Sequence, residues 1–154
     1  MSRRVFALAW GVKQSFRSYV EMSGGQILVE GDAQRSSDGE FFFPAAPGQD
    51  LTLPAEGPAP AGAFLGQVLF EAHGGMLSVK LADPVLEIEG QAGRLILCNE
   101  DRRVAVAQLD LTSARAGAEG ELLIPAQLTA EGSQVLGDHC PPGTALDPIR
   151  LKAD

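Results

Sequence analysis

Among the side chains of this sequence that could bind a metal, the phenol of Tyr19 is the first to consider. Tyr19 is the only tyrosine of the chain and lies in the segment WGVKQSFRSYVE. An ionised phenol is a hard oxygen donor that favours ferric iron, and tyrosinate is one of the few axial ligands that proteins offer to haem. Because a phenol in water has a pKa of about 10, the metal and a neighbouring base must help to remove its proton. Tyr19 is therefore our first candidate for a ligand of haem iron.

Two histidines are available as that base, His73 and His139. A neutral imidazole beside a phenol can accept its proton and orient its ring. His73 closes the apolar run FEAHGG, whereas His139 lies in the proline-bounded segment GDHCPPG, which we expect to be an exposed turn. A simpler interpretation stays open for each side chain: Tyr19 as a core residue with a satisfied hydroxyl, and His73 as a structural residue at a strand end.

The charge of the chain is unevenly distributed. The net charge is −8, yet residues 1–20 contain four basic residues and no acidic one. Nucleic-acid binding needs a broad basic face, so we expect no nucleic-acid partner for this acidic protein. The small basic segment fits an anionic small ligand and, equally well, a solvated helix face.

The length of 154 residues indicates a single domain, which we place over residues 1–154. Eighteen glycines and ten prolines separate short apolar runs, a pattern typical of strands joined by tight turns. We therefore predict a mostly β fold. Eight strands are predicted, from the runs QILVEG, EFFFP, DLTLP, FLGQVLFEAH, MLSVKLAD, VLEIEG, RLILCN and VAVAQLDL.

A helix is predicted over residues 5–22, ending before Gly24–Gly25. Its apolar side chains recur at the three- and four-residue spacing of an amphipathic helix, at Leu8, Val12, Phe16, Tyr19 and Val20. On such a helix Ser15 and Phe16 lie one turn before Tyr19. We expect these three side chains to face the same neighbouring surface.

Three other segments have recognisable patterns. Gly74–Gly75 predicts a hairpin connection between two strands, and the proline-rich residues 54–63 predict a loop. Residues 128–136 predict a short second helix with Thr129 as its N-cap.

The start of the chain bears on its location. The letters SRRVF resemble a twin-arginine export signal, but the apolar run VFALAWGV has only eight residues before Lys13. We interpret this run as part of the domain and predict a cytoplasmic location with no membrane span. Cys98 and Cys140 allow at most one disulfide and have no metal or redox spacing.

Several phrases of the sequence, in order, resemble the HtaA-type haem-transport domain of bacterial haem uptake. They cover nearly the whole chain, and the first is the most specific of them. The phrases are WGVKQSFRSYV, DGEFFFP, VLFEAHGGMLSVKLADPVLEIEG, RLILCN, VAVAQLDL, LTAEGSQVL and GTALDPIRL.

The resemblance implies a fold, a cofactor and a site. The fold is a two-sheet antiparallel β-sandwich with an N-terminal amphipathic helix and a short C-terminal helix. The cofactor is ferric haem b, with Tyr19 as the axial ligand and His73 hydrogen-bonded to that tyrosine. The implied function is haem transport, transfer or storage, with a haem donor or acceptor protein as partner. Members of the family are usually exported or attached to the cell surface, which is the alternative to a cytoplasmic location.

Further haem contacts are expected around the tyrosine. Phe16 and Phe43 are candidates to cover the porphyrin, although Phe43 also suits the interior of a sandwich. Ser15 and Arg17 are candidates to hold a propionate, and a salt bridge on the helix surface is the competing role of Arg17. The family often carries an aromatic residue before the GTxLDP phrase, where this chain has Asp138–Pro141.

Two other function classes stay open. One is a β-sandwich without ligand that contacts another protein, and the other is a tyrosinate-haem enzyme acting on peroxide, which would need a distal acid or base. We expect no enzymatic activity. An exposed pocket would also allow a second copy of the chain to bind, so a homodimer is a further prediction.

Overall fold

The computed structural model describes residues 3–49, 51–53, 61–117, 120–137 and 140–153. These residues form thirteen strands and two α-helices. The strands are β1 (Arg3–Trp10), β2 (Gln26–Glu30), β3 (Gln34–Arg35), β4 (Phe41–Pro44), β5 (Thr52–Leu53), β6 (Gly62–Ala63), β7 (Gln67–Ala72), β8 (Leu77–Glu89), β9 (Ala92–Asn99), β10 (Arg102–Asp110), β11 (Arg115–Ala116), β12 (Leu122–Leu128) and β13 (Ala145–Ala153). The helices are α1 (Gln14–Met22) and α2 (Ala130–Val135).

The strands follow one hydrogen-bonded, antiparallel path in the order β2-β7-β8-β9-β10-β12-β13-β1-β4-β3. The sheet curls until β2 and β3, the two ends of this path, contact each other. The curled sheet encloses one hydrophobic core, which includes Trp10, Phe41 and Phe70. The mostly β class with an N-terminal helix and a short second helix is confirmed. The two layers of the expected sandwich are parts of one continuous sheet.

The helix predicted over residues 5–22 is wrong in its first half. Residues Arg3–Trp10 form β1, which pairs with β13 on one side and β4 on the other, and only Gln14–Met22 is helical. The apolar run VFALAWGV fits a central strand as well as a helix, because a strand buried on both faces shows no alternation. The strand ends at Trp10 and is followed by Gly11 and Val12, of which Val12 has a positive φ of 64°.

The predicted strands are present, but two of them are joined. MLSVKLAD and VLEIEG form the single strand β8, in which the ladder shifts register between Ala82 and Val85, around Pro84. The sequence interpretation also missed β12 and β13, which contain Pro125 and Pro148. Both prolines lie at an irregularity of the β12–β13 ladder, where proline is tolerated because the local hydrogen bonding is already interrupted.

The turns and the second helix follow the prediction closely. β7 and β8 form an antiparallel hairpin whose connection is a 3-10 turn at His73–Gly75. Thr129 accepts a hydrogen bond from the amide of Gly132 and so caps α2 as expected. In the predicted loop 54–63, Gly62–Ala63 instead pairs with β8, and residues 54–60 lie outside the described residues. Cys98 and Cys140 are both free thiols.

A buried carboxyl group gives the fold a testable pH dependence. Glu40 is 9% exposed, and burial raises the pKa of its carboxyl, although the guanidinium of Arg150 opposes the shift. The Nε atom of Arg150 lies 3.4 Å from Oε1 of Glu40. A raised pKa means that the folded protein holds this proton more tightly than the unfolded chain, so the stabilisation is complete at low pH and is lost as the pH rises.

We expect Glu40→Gln, which resembles the protonated group, to become progressively more stable than the parent chain between pH 4 and 7. Urea unfolding across this range measures the difference in unfolding free energy. Glu89→Gln, which removes one exposed negative charge, is the control. A difference that is constant or shrinks with rising pH would contradict the prediction.

Candidate functional site

The candidate site is built on α1, which lies against β2 and β7. The inner face of the helix carries Phe16 and Val20, both buried, and the Phe16 ring packs edge-on against Phe70 of β7 at 5.2 Å between centroids. Tyr19 is on the outer side and is 36% exposed. The ring of Tyr19 therefore lies at the surface and not in the core.

A close backbone contact brings the end of α1 to the end of β7. Gly25 follows the helix, and its amide donates to the carbonyl of Val20 at 2.9 Å. A Cβ atom at Gly25 would collide with the carbonyl oxygen of Glu71 and lie 2.9 Å from the Cβ of Ala72. Only glycine fits here, and the contact places the last turn of α1 beside the residues that precede His73.

The structure brings Tyr19 and His73 together. The Tyr19 hydroxyl oxygen and His73 Nε2 are 2.6 Å apart, and the ring centroids are 5.6 Å apart at 60°. When His73 carries its ring proton on Nδ1, the hydroxyl donates to Nε2. His73 has a positive φ of 56° and accepts, through its carbonyl, a hydrogen bond from the amide of Met76 at 3.2 Å. The tight turn thus sets the direction of the imidazole.

This pair combines an exposed phenol with an adjacent imidazole. The imidazole can take the phenol's proton when an electrophile or a cation approaches the oxygen, which leaves an anionic oxygen donor at the surface. The donor set fits ferric iron, because a hard anionic oxygen prefers a highly charged metal.

Two exposed methionines lie near this pair in sequence and were missed in the sequence interpretation. Met22 is 87% exposed and follows Tyr19 by three residues on α1, and Met76 is 91% exposed and ends the turn that begins at His73. The two elements that carry Tyr19 and His73 therefore also carry exposed, flexible apolar side chains. Their spacing from Tyr19 and His73 was the signal that could have identified them.

Of the other predicted haem contacts on α1 and β4, one is exposed and two are buried. Ser15 is exposed one turn before Tyr19, as expected. Phe16 and Phe43 are 2% and 1% exposed and belong to the hydrophobic core. A contact of these two rings with a porphyrin stays a prediction; in this structure the sheet and α1 cover them.

Arg17 also has a structural position. Its side chain is 9% exposed and its Nη1 forms a 2.7 Å salt bridge with Oδ2 of Asp147. Arg17 as a propionate contact stays a prediction. Its guanidinium forms the competing salt bridge, and this pair points into the protein and not onto a wet helix face. Lys13, another member of the basic segment, donates to the carbonyl of Ala145 at 2.9 Å.

A large cavity of the described residues is separate from the Tyr19–His73 pair. His139, with Asp138, lies outside the described residues. A cavity of about 850 Å³ is lined mainly by the end of β8 and the start of β9, together with Gln49, Gln108 and Thr129. None of the predicted haem contacts lines it, so the Tyr19–His73 pair forms a separate surface site. Among the described residues, no helix is both long enough and apolar enough to cross a bilayer.

This protein is a small, mostly β protein with a curled antiparallel sheet and one N-terminal helix. The tyrosine–histidine pair forms a polar site on its surface. The family model HtaA, described as Htaa, matches residues 6–152. The chain therefore belongs to the HtaA family.

Solved structures of two proteins from Corynebacterium glutamicum have the same fold. The C-terminal domain of HtaA is 28% identical, with a TM-score of 0.73 and coverage of 99% of this chain and 98% of that chain. The haem-binding protein HtaB is 19% identical, with a TM-score of 0.73 and coverage of 100% and 96%. The N-terminal domain of HtaA is 22% identical, again with a TM-score of 0.73 and coverage of 100% and 99%. No curated protein matches this chain significantly.

Proposed function

We propose that this protein binds ferric haem b through the phenolate oxygen of Tyr19, for transport, transfer or storage of haem. The observation that carries the proposal is the 2.6 Å contact between the Tyr19 hydroxyl and His73 Nε2 at an exposed position. Membership of the HtaA family and the similarity in fold to a haem-binding protein support it.

The two side chains have different roles in this proposal. Tyr19 supplies the iron ligand, and His73 accepts the proton that the phenol loses and then orients the phenolate. An anionic oxygen ligand stabilises ferric iron more than ferrous iron, which gives the site a preference for the oxidised cofactor. Bound haem supplies the iron that holds the phenolate at neutral pH.

Apolar contact supplies the other part of the affinity. Met22 is exposed at the end of α1 and Met76 is exposed after the turn at His73–Gly75, and both join Phe16 and Phe43 as candidates to contact the macrocycle. Burial of apolar surface contributes about 25 cal/mol per Å², so a few hundred square ångströms contribute on the order of 5 to 10 kcal/mol before the cost of association. Ser15, exposed on the same helix, is the candidate contact for a propionate.

We expect haemin to bind the purified protein at one equivalent per chain and to give a sharpened, shifted Soret band. An absorbance titration measures this, with size-exclusion chromatography to confirm that haem travels with the protein. A folded protein without any such shift would reject haem binding and favour a ligand-free interaction domain. Rapid consumption of peroxide by the complex would favour the enzymatic alternative.

The same titration tests the apolar contacts. The double variant Met22→Ser/Met76→Ser is expected to weaken haemin binding by roughly 30-fold, because each of the two thioether chains loses about 1 kcal/mol of burial. The matched control is Phe6→Ser, which removes another exposed apolar side chain, one that packs near Phe42 on β4 and not on α1. Equal weakening by the control would reject the assignment of the methionines.

A further inference from the structure

The start of β13 makes several hydrogen bonds to the segment that joins β1 to α1. The amide of Asp147 donates to the carbonyl of Val12 at 2.9 Å, and the carbonyl of Asp147 accepts from Nε1 of the buried Trp10 at 2.8 Å. Val12 is a β-branched residue at φ 64°, a region that such residues rarely adopt. The unusual backbone between strand and helix is thus held by Asp147.

The side chain of Asp147 binds the first turn of α1. Its Oδ1 accepts from the amide of Gln14 at 3.2 Å, and its Oδ2 accepts from Nη1 of Arg17 at 2.7 Å. Lys13, at the N-cap position, makes no side-chain capping hydrogen bond of its own. The carboxylate of Asp147, although distant in sequence, therefore caps the N-terminus of α1. Its negative charge faces the positive end of the helix dipole.

The packing around Gly11 leaves little tolerance in this arrangement. Nη1 of Arg17 donates to the carbonyl of Gly11 at 2.7 Å as well as to Asp147. A Cβ atom at Gly11 would collide with that guanidinium and with the carboxylate. The three residues therefore form a compact clamp in which Arg17 is buried and Asp147 is half-buried.

The clamp sets the rotation of α1 about its own axis. Successive residues of an α-helix are 100° apart, so Arg17 and Tyr19 point in directions about 200° apart. While Asp147 holds Arg17 toward the protein interior, Tyr19 is held toward solvent and toward His73. The geometry points to Asp147 as a positioning residue for the haem ligand, an inference that rests on the proposed function.

The test uses Asp147→Asn, which retains an oxygen that can cap Gln14 but removes the charge that binds Arg17. The matched control is Glu121→Gln, because Glu121 is another buried carboxylate, 4% exposed, that pairs with Arg150 and Lys152 away from α1. Two readouts are measured: amide hydrogen exchange in α1 relative to β8, and the rate at which the haem complex loses haemin to apomyoglobin.

In Asp147→Asn we expect exchange in α1 to accelerate roughly tenfold relative to β8 and haemin loss to accelerate by a similar factor. Glu121→Gln is expected to leave both quantities as in the parent chain. If Asp147→Asn does not fold, Arg17→Lys keeps the positive charge, weakens the clamp and provides the same two measurements.

Unchanged exchange and haemin loss in Asp147→Asn would overturn the inference, and so would equal effects in Glu121→Gln. A parent chain that fails to bind haemin would reject the proposed function instead. The exchange measurement does not need haem, so the two failures are distinguishable.

Discussion

Tyr19→Phe is expected to abolish the tyrosinate-to-iron absorption of the haem complex and to weaken haemin binding by at least roughly 100-fold, or about 3 kcal/mol. The substitution removes only the hydroxyl and retains the ring. Because the ring is partly exposed and the hydroxyl lies at the surface, the effect on folding should be small. Absorbance titration and resonance Raman spectra of the ferric complex measure the result.

This substitution is a sharp test because the chain has no other tyrosine. Any tyrosinate signal in the parent complex must come from Tyr19, and none can remain in the variant. The thermal midpoint of the apoprotein serves as the control for folding. If the variant keeps both the affinity and the spectrum of the parent, another residue binds the iron and the proposed site is wrong.

His73→Asn is expected to weaken haemin binding by roughly 10- to 100-fold while leaving a weaker tyrosinate band. Asparagine tolerates the positive φ that this turn requires, so the backbone between β7 and β8 should be preserved. It cannot take up the phenol's proton as an imidazole does, so the phenolate forms less readily.

The second histidine provides the matched control for this variant. His139→Asn makes the same chemical change elsewhere in the chain and should leave haemin binding as in the parent. Size-exclusion chromatography of each variant checks that its elution is unchanged. A large loss of affinity in His139→Asn with no loss in His73→Asn would reverse the assignment of the base.

Some properties of the protein stay predictions. The single domain over residues 1–154, the cytoplasmic location with its exported alternative, and pairing with a second copy are of this kind. Asp138 and His139, in the segment where the family often carries an aromatic residue, are not among the described residues.

Much of the fold is visible in local sequence patterns. Alternation in β8 and the paired glycines after His73 predict the hairpin of β7 and β8, because the strand period and the turn conformations are properties of neighbouring residues. The run at residues 5–10 was misassigned because a strand buried on both faces and a buried helix have the same apolar composition. The pairing of β1 with β13 and β4 decides between them, and it involves residues far apart in sequence.

The sequence by itself determined the residue types of the site and, through family resemblance, the partnership of Tyr19 with His73. Only the tertiary structure decided which neighbours of Tyr19 face solvent. It placed Phe16 in the core, turned Arg17 inward and brought Asp147 to the helix from 130 positions away in the chain. The physical reason is that helical spacing specifies angles between side chains on one element, whereas the rotation of that element is set by the contacts it makes with the rest of the fold.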